Sequence, residues 1–231
     1  MKHCIILHLY YQDLWPEFKE KLIPIINKNI DLYVSVTTLE SKFISDIETY
    51  ATKVFLVENR GADIGPFIFV YDKIKHNDYA TYLKLHGKKT MHNPKFGKAW
   101  RQELYFGIVD HYETILKHVS TILGHWMLGN GYHLMDMNSE SNDHINRIQS
   151  LEFIKQAAAY LNVTYEGAFF AGTMWLTNKE YLEKLFDNIN LDDLYKQFQP
   201  GHLTNSLAHG MERVLCYGVE HHGGQYIKIG N

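Results

Sequence analysis

Short apolar runs alternate with amphipathic stretches from the start of the chain. Cys4 to Tyr10 reads as a strand, Leu14 to Ile26 as an amphipathic helix, and Asp31 to Thr38 as a second strand. The rhythm continues with a helix over Glu40 to Ala51, a strand over Lys53 to Glu58, a helix from Gly65 to Ile74 and a strand over Tyr79 to His86. Such alternation predicts an α/β fold, a mostly parallel central sheet with helices on both faces. In a sheet of that kind ligands gather at the carboxyl ends of the strands.

Beyond His86 the pattern predicts a polar loop to Gly97, one long helix to Ile122, a strand over His125 to His133 and a loop over Asp136 to Asp143. A helix over Ile145 to Leu161 then leads to an aromatic strand, Ala168 to Thr177. Asn178 reads as the N-cap of a helix over Lys179 to Asp187, and the last helix runs from Thr204 to Glu220. No repeat, low-complexity tract or linker divides the chain, so residues 1–231 are expected to form one domain.

Composition narrows the function. In 231 residues, 45% apolar and 14% aromatic side chains can fill a sizeable core, which excludes a disordered chain. A net charge of -3 gives no general attraction to nucleic acid or anionic lipid, so any anion site must be a local cluster. The two cysteines, Cys4 and Cys216, show no metal or redox spacing and suit a reduced, cytoplasmic protein. The opening apolar run is broken by His8 and reads as a strand rather than a secretion signal. No uncharged apolar run is long enough to span a bilayer, so membrane contact is expected to be peripheral.

Four stretches carry candidate chemistry. Glu58-Asn59-Arg60-Gly61-Ala62-Asp63 lies where a strand ends and a helix begins; Arg60 offers a bidentate donor, Asp63 an acceptor, and Gly61 room for close approach. The plainer alternative is a turn in which Asp63 caps the helix and Arg60 pairs with a neighbour. Tyr79 to Gln102 contains six basic residues (Lys84, Lys88, Lys89, Lys95, Lys98 and Arg101) and no acidic one. That local cluster suits a diphosphate, against the alternative of a solvated basic loop. In Phe169-Phe170-Ala171-Gly172-Thr173-Met174-Trp175, small residues at Gly172 and Thr173 leave a gap between rings such as Trp175, as a sugar pocket would need; core packing is the alternative. Finally, His209 and Glu212 are three apart on a helix and share a face, so either can serve as a general base. An ion-paired helix with a structural histidine is the alternative there.

Read in order, HLYYQDLW, ENRGADIGPF, YLKLHGKKT, GKAWR, FAGTMW and LAHGMER resemble the rhamnan synthesis F proteins of bacterial polysaccharide clusters, over roughly Ile5 to Val219. The resemblance implies a single GT-A-like nucleotide-diphospho-sugar transferase domain. It would move L-rhamnose from dTDP-rhamnose to a glycan or lipid-linked glycan acceptor, at the inner face of the membrane. On matching positions it points to Arg60, Asp63, His86, Lys88, Lys89, Trp100, Arg101, Gly172, His209 and Glu212. With the residue reading, the donor candidates are Asn59, Arg60, Gly61, Asp63, His86, Lys88, Lys89 and Arg101, and the sugar-pocket candidates are Trp100, Gly172, Thr173 and Trp175. Glu212, Asp63 and His209 are the catalytic candidates. Where such transferases often carry Asp-x-Asp for a divalent metal, this chain reads His86-Gly87-Lys88-Lys89, so no metal is expected. Asp136-Met137-Asn138 is the nearest hard-cation motif. Where the family is expected to carry Asp-Gly before its last helix, this chain has Thr204-Asn205. A UDP-galactofuranose donor and a non-catalytic carbohydrate- or nucleotide-binding subunit are the alternatives, and nucleic acid is not an expected partner.

Overall fold

The computed structural model describes residues 1–89, 94–131, 134–136, 143–164, 166–201 and 205–230, and of these it leaves out the side chains of 94–96, 100, 106, 136 and 143–150. The first part runs β1 (Lys2–His8), α1 (Trp15–Leu22), β2 (Ile30–Val36), α2 (Ile44–Tyr50), β3 (Lys53–Leu56), α3 (Ile64–Ile74) and β4 (Tyr79–His86). Then come α4 (Pro94–Arg101), a π-helical turn at Gln102–Phe106, α5 (Gly107–Val109), α6 (Tyr112–Val119), β5 (Trp126–Asn130), β6 (Leu134–Asp136) and α7 (Asp143–Leu161). The chain closes with β7 (Ala168–Phe170), β8 (Trp175–Asn178), α8 (Lys179–Leu185), α9 (Leu191–Gln197), α10 (Leu207–His221) and β9 (Gln225–Ile229).

Seven strands form the central sheet in the order β3-β2-β1-β4-β8-β5-β9. β1 pairs in parallel with β2 and β4, and β2 with β3, whereas β8 lies antiparallel between β4 and β5. The predicted mostly parallel sheet is therefore present, with one reversed strand. Helices cover both faces, and the strands divide their side chains by period-two alternation. Cys4, Ile6 and Tyr82 pack with α3, α7 and α10. Ile5, Leu7, Leu83 and Leu85 pack with α1 and the 101–119 segment.

Three expectations are corrected. The long helix to Ile122 widens into the π-helical turn, where the consecutive Leu104 and Tyr105 are both buried and Tyr105 stacks on Phe18 at 4.6 Å, and it breaks at Asp110 and His111 before α6. The aromatic strand over Ala168 to Thr177 is two strands: β7 pairs with β6 in a small second sheet, and β8 enters the main sheet. Between them Gly172 and Thr173 take left-handed φ values of 88° and 52°. Asn178 stands at the helix start but spends its side chain on the carbonyl of Gly124 and the N–H of Trp126 instead of capping. Three elements escaped the sequence pattern. They are β6, which pairs with β7, α9, capped by Asn190 accepting from the Asp193 N–H at 3.2 Å, and β9, which pairs in parallel with β5.

Candidate functional site

The carboxyl ends of β1 and β4 and the first turns of α3 and α10 surround a cavity of about 350 Å3. His8, Tyr10 and Tyr11 reach it from the end of β1, and His86, Gly87, Lys88 and Lys89 from the end of β4. Asn59, Ala62, Asp63 and Ile64 come from the start of α3, Gly172 and Thr173 from the turn before β8, and Ala208, His209 and Glu212 from α10. Parallel strands turn their carboxyl ends to one edge, and this gathers residues that are distant in sequence.

A buried polar cluster stands at this wall. Lys84 shares a face of β4 with Tyr82 and His86 and is 1% exposed. Its ammonium donates to Asp63 Oδ2 and, at 2.9 Å, to the carbonyl of Thr173. The Thr173 hydroxyl donates to the same Asp63 oxygen at 2.5 Å. His86 donates through Nε2 to the Gly172 carbonyl at 2.8 Å, and the Gly172 N–H donates to Glu212 Oε1 at 3.3 Å. Asp63 occupies the N-cap position of α3 without a side-chain cap bond, because its carboxylate is taken by Lys84 and Thr173.

The electrostatics follow from this packing. Burial pushes the Asp63 carboxyl up, but the positive fields of His86, when protonated, and of Lys84, with the bonds from Lys84 and Thr173, hold it well below the usual carboxylate range. Burial lowers His86 to about 4 against the pull of Asp63. It lowers His8, bonded to Ser35 at 3.0 Å, to about 3. Both imidazoles are neutral at neutral pH, so Lys84 supplies the standing positive charge beside Asp63.

Among the residues singled out from sequence, Asn59, Asp63, His86, Lys88, Lys89, Gly172, Thr173, His209 and Glu212 line the cavity. Arg60 does not. It donates to Glu58 at 3.0 Å and to the carbonyls of Lys196 and Phe198 at 2.9 and 3.2 Å, fastening its loop to the end of α9. Gly61 has φ +69°, and a Cβ there would come within 2.7 Å of Phe198 Cγ, so this glycine answers to packing. Arg101 is gripped by Glu17 at 3.1 and 2.9 Å and donates to the Lys88 carbonyl at 2.7 Å; it shapes the basic loop from behind. Trp175 is fully buried, edge-on to Phe67 at 5.2 Å, and belongs to the core. The Trp100 side chain, the Asp136 side chain, residues 137–138 and Thr204 lie outside what is described. Among the described residues no group of three His, Cys, Asp or Glu side chains is placed to hold a metal ion.

His8, Tyr10 and Tyr11 were not singled out as site residues, and Lys84 was read only as one member of the basic cluster. Their signal was present: the first three follow the first parallel strand to the ligand edge, and Lys84 lies two residues before His86 on one face.

Two curated relatives, both named uncharacterized protein WxcX, come from Xanthomonas campestris pv. campestris strains ATCC 33913 and B100. Each is 26% identical over 227 residues, which is 95% of this chain and 32% of the relative. The chain thus spans about a third of the length of the curated relatives it matches. The family described as rhamnan synthesis protein F matches residues 1–223. With nearly the whole sequence matched, and with the motifs that resemble this family spread from β1 to α10, the chain belongs to the rhamnan synthesis F family, whose description ties it to polysaccharide synthesis.

Proposed function

We propose that this chain is a GT-A-like glycosyltransferase that moves a sugar, first of all L-rhamnose, from a nucleotide-diphosphate donor to a growing surface glycan on the cytoplasmic side of the membrane. The observation that carries the proposal is the meeting of two carboxylates, Asp63 and Glu212, with two lysines, Lys88 and Lys89, in one cavity at the carboxyl edge of the sheet. Its volume falls among small-molecule sites. Lys88 and Lys89 meet the diphosphate charge, a task that needs no metal when ammonium groups stand there. The acceptor hydroxyl oxygen bonds to the anomeric carbon as the bond from that carbon to the diphosphate breaks. The hydroxyl proton goes to a base.

Glu212 is that base. Asp63, kept ionised by Lys84 and Thr173, is a poor proton acceptor and serves instead as a fixed hydrogen-bond acceptor for the ligand. The test is a thermal-shift screen over dTDP-, UDP- and GDP-sugars, followed by measurement of donor hydrolysis and of transfer to a lipid-linked glycan. A stabilising dTDP-rhamnose that is turned over supports the proposal. Stabilisation without any release of sugar replaces it with a non-catalytic binding subunit, and preference for UDP-galactofuranose changes the donor.

A further inference from the structure

We infer that Lys84 is the positioning residue of the site, the group that holds the Gly172–Thr173 turn in the shape that serves Glu212 and His86. The kinetic consequence rests on the transferase reading; the geometry does not. Lys84 does not line the cavity, yet it sits in mid-sheet with an ammonium almost wholly removed from water. Such a charge is costly to bury unless it is matched by partners, and here they are the Asp63 carboxylate, the Thr173 carbonyl and, at 6.0 Å, the Phe67 ring.

The other end of this clamp is strained. Thr173 is β-branched and has φ 52°, a conformation that persists only where its surroundings hold it. Both ends of that residue are held: its carbonyl accepts from Lys84, and its hydroxyl donates to the Asp63 oxygen that Lys84 also grips. The preceding residue passes the order on. Gly172, at φ 88°, gives its N–H to Glu212 and its carbonyl to His86, so two cavity groups hang from one turn. A Cβ at Gly172 would come within 2.7 Å of Leu104, which leaves the turn no room to relocate in that direction.

Lys84→Met alone leaves the Asp63 carboxylate unpaired and risks unfolding, so the test uses Asp63→Asn and the double variant Asp63→Asn/Lys84→Met as well. If Lys84 only compensates charge, the double variant turns over dTDP-rhamnose as fast as Asp63→Asn. If it holds the turn, the double variant loses at least about a further tenfold in kcat, and the Gly172 and Thr173 amide resonances move. In the wild type, the Lys84 ammonium is expected to give a slowly exchanging 15N resonance. Absence of that resonance, or a double variant matching Asp63→Asn in kcat with unmoved Gly172 and Thr173 amides, overturns the inference. Should the wild type turn over no nucleotide sugar, the transferase reading fails, while the ammonium and amide resonances still decide the clamp.

Discussion

Leu83 and Lys84 are neighbours on β4, both are buried, and they do opposite work. Leu83 joins Leu85, Ile5 and Leu7 on the face covered by α1, where side chains are apolar as far as the carboxyl edge. Lys84 joins His86 and, on β1, His8 on the face covered by α3 and α10, where the apolar pattern gives way to charge near that edge. The first face gains its stability from area removed from water. The second spends stability on buried polar groups that must each find a partner, which marks that edge as the candidate site. One strand thus carries the fold on one side and the candidate site on the other.

The largest effect sharpens the apolar half of this contrast. Leu83→Ala should cost about 2–5 kcal/mol of stability, measured by urea unfolding, while the folded protein keeps the kcat of the proposed transfer within about twofold. A large loss of turnover in the folded variant would mean that the two faces are not separable.

The next effect belongs to the polar half. Below the ordinary histidine value the unfolded chain takes up protons that the folded chain refuses until about pH 4 at His86 and about pH 3 at His8. Stability should therefore fall as pH drops through that window, by about 2 kcal/mol per histidine between pH 7.5 and pH 5. The Asp63 contribution has the same sign, but it is lost only at lower pH, because its carboxyl is held below the usual carboxylate range. Unfolding free energies that stay flat between pH 7.5 and pH 5 would show that these imidazoles are not buried as neutral groups.

How much of this was legible in sequence differs between the same two faces. The elements from β1 to β4 follow local periodicity, and their apolar residues mark the core directly. The reversal of β8 was not legible, because Ala168 to Thr177 reads as one mostly apolar and aromatic run, and the Gly172–Thr173 gap in it does not reveal the left-handed backbone that divides it. Lys84 was read with a basic loop, since its partner Asp63 lies 21 residues away and the pairing depends on sheet register. Arg60 and Arg101 erred in the other direction. Both looked available for an anion, but nearby carboxylates and backbone carbonyls consume their donors.

Glu212 tests whether the polar face is a reaction centre or only a binding wall. Glu212→Gln keeps the size of the side chain and its acceptor for the Gly172 N–H, and removes the proton acceptor. Transfer should fall by about a hundredfold or more with donor affinity retained. Near-normal turnover in that variant, with Asp63→Asn inactive, would reassign the base to Asp63.

The smallest effects separate the two lysines at the rim of the polar face. Lys88 lines the cavity, and its backbone is fixed by the Arg101 bond to its carbonyl. Lys89 also lines the cavity but is paired with Asp13 and lies 5.1 Å from the centre of the Tyr11 ring. A charge-assisted contact to a diphosphate contributes about 1.5–3 kcal/mol, so Lys88→Ala should weaken donor binding by about tenfold or more in calorimetry. Lys89→Ala should weaken it as well, by an amount set by the competition between the ligand and Asp13 for that ammonium. Asp13→Asn should then tighten binding slightly by freeing it. If these ammonium groups do the work of a cation, EDTA leaves donor binding and transfer unchanged. Loss of both in EDTA, with recovery on adding magnesium or manganese, would place a metal beside the diphosphate and reduce the lysines to its neighbours.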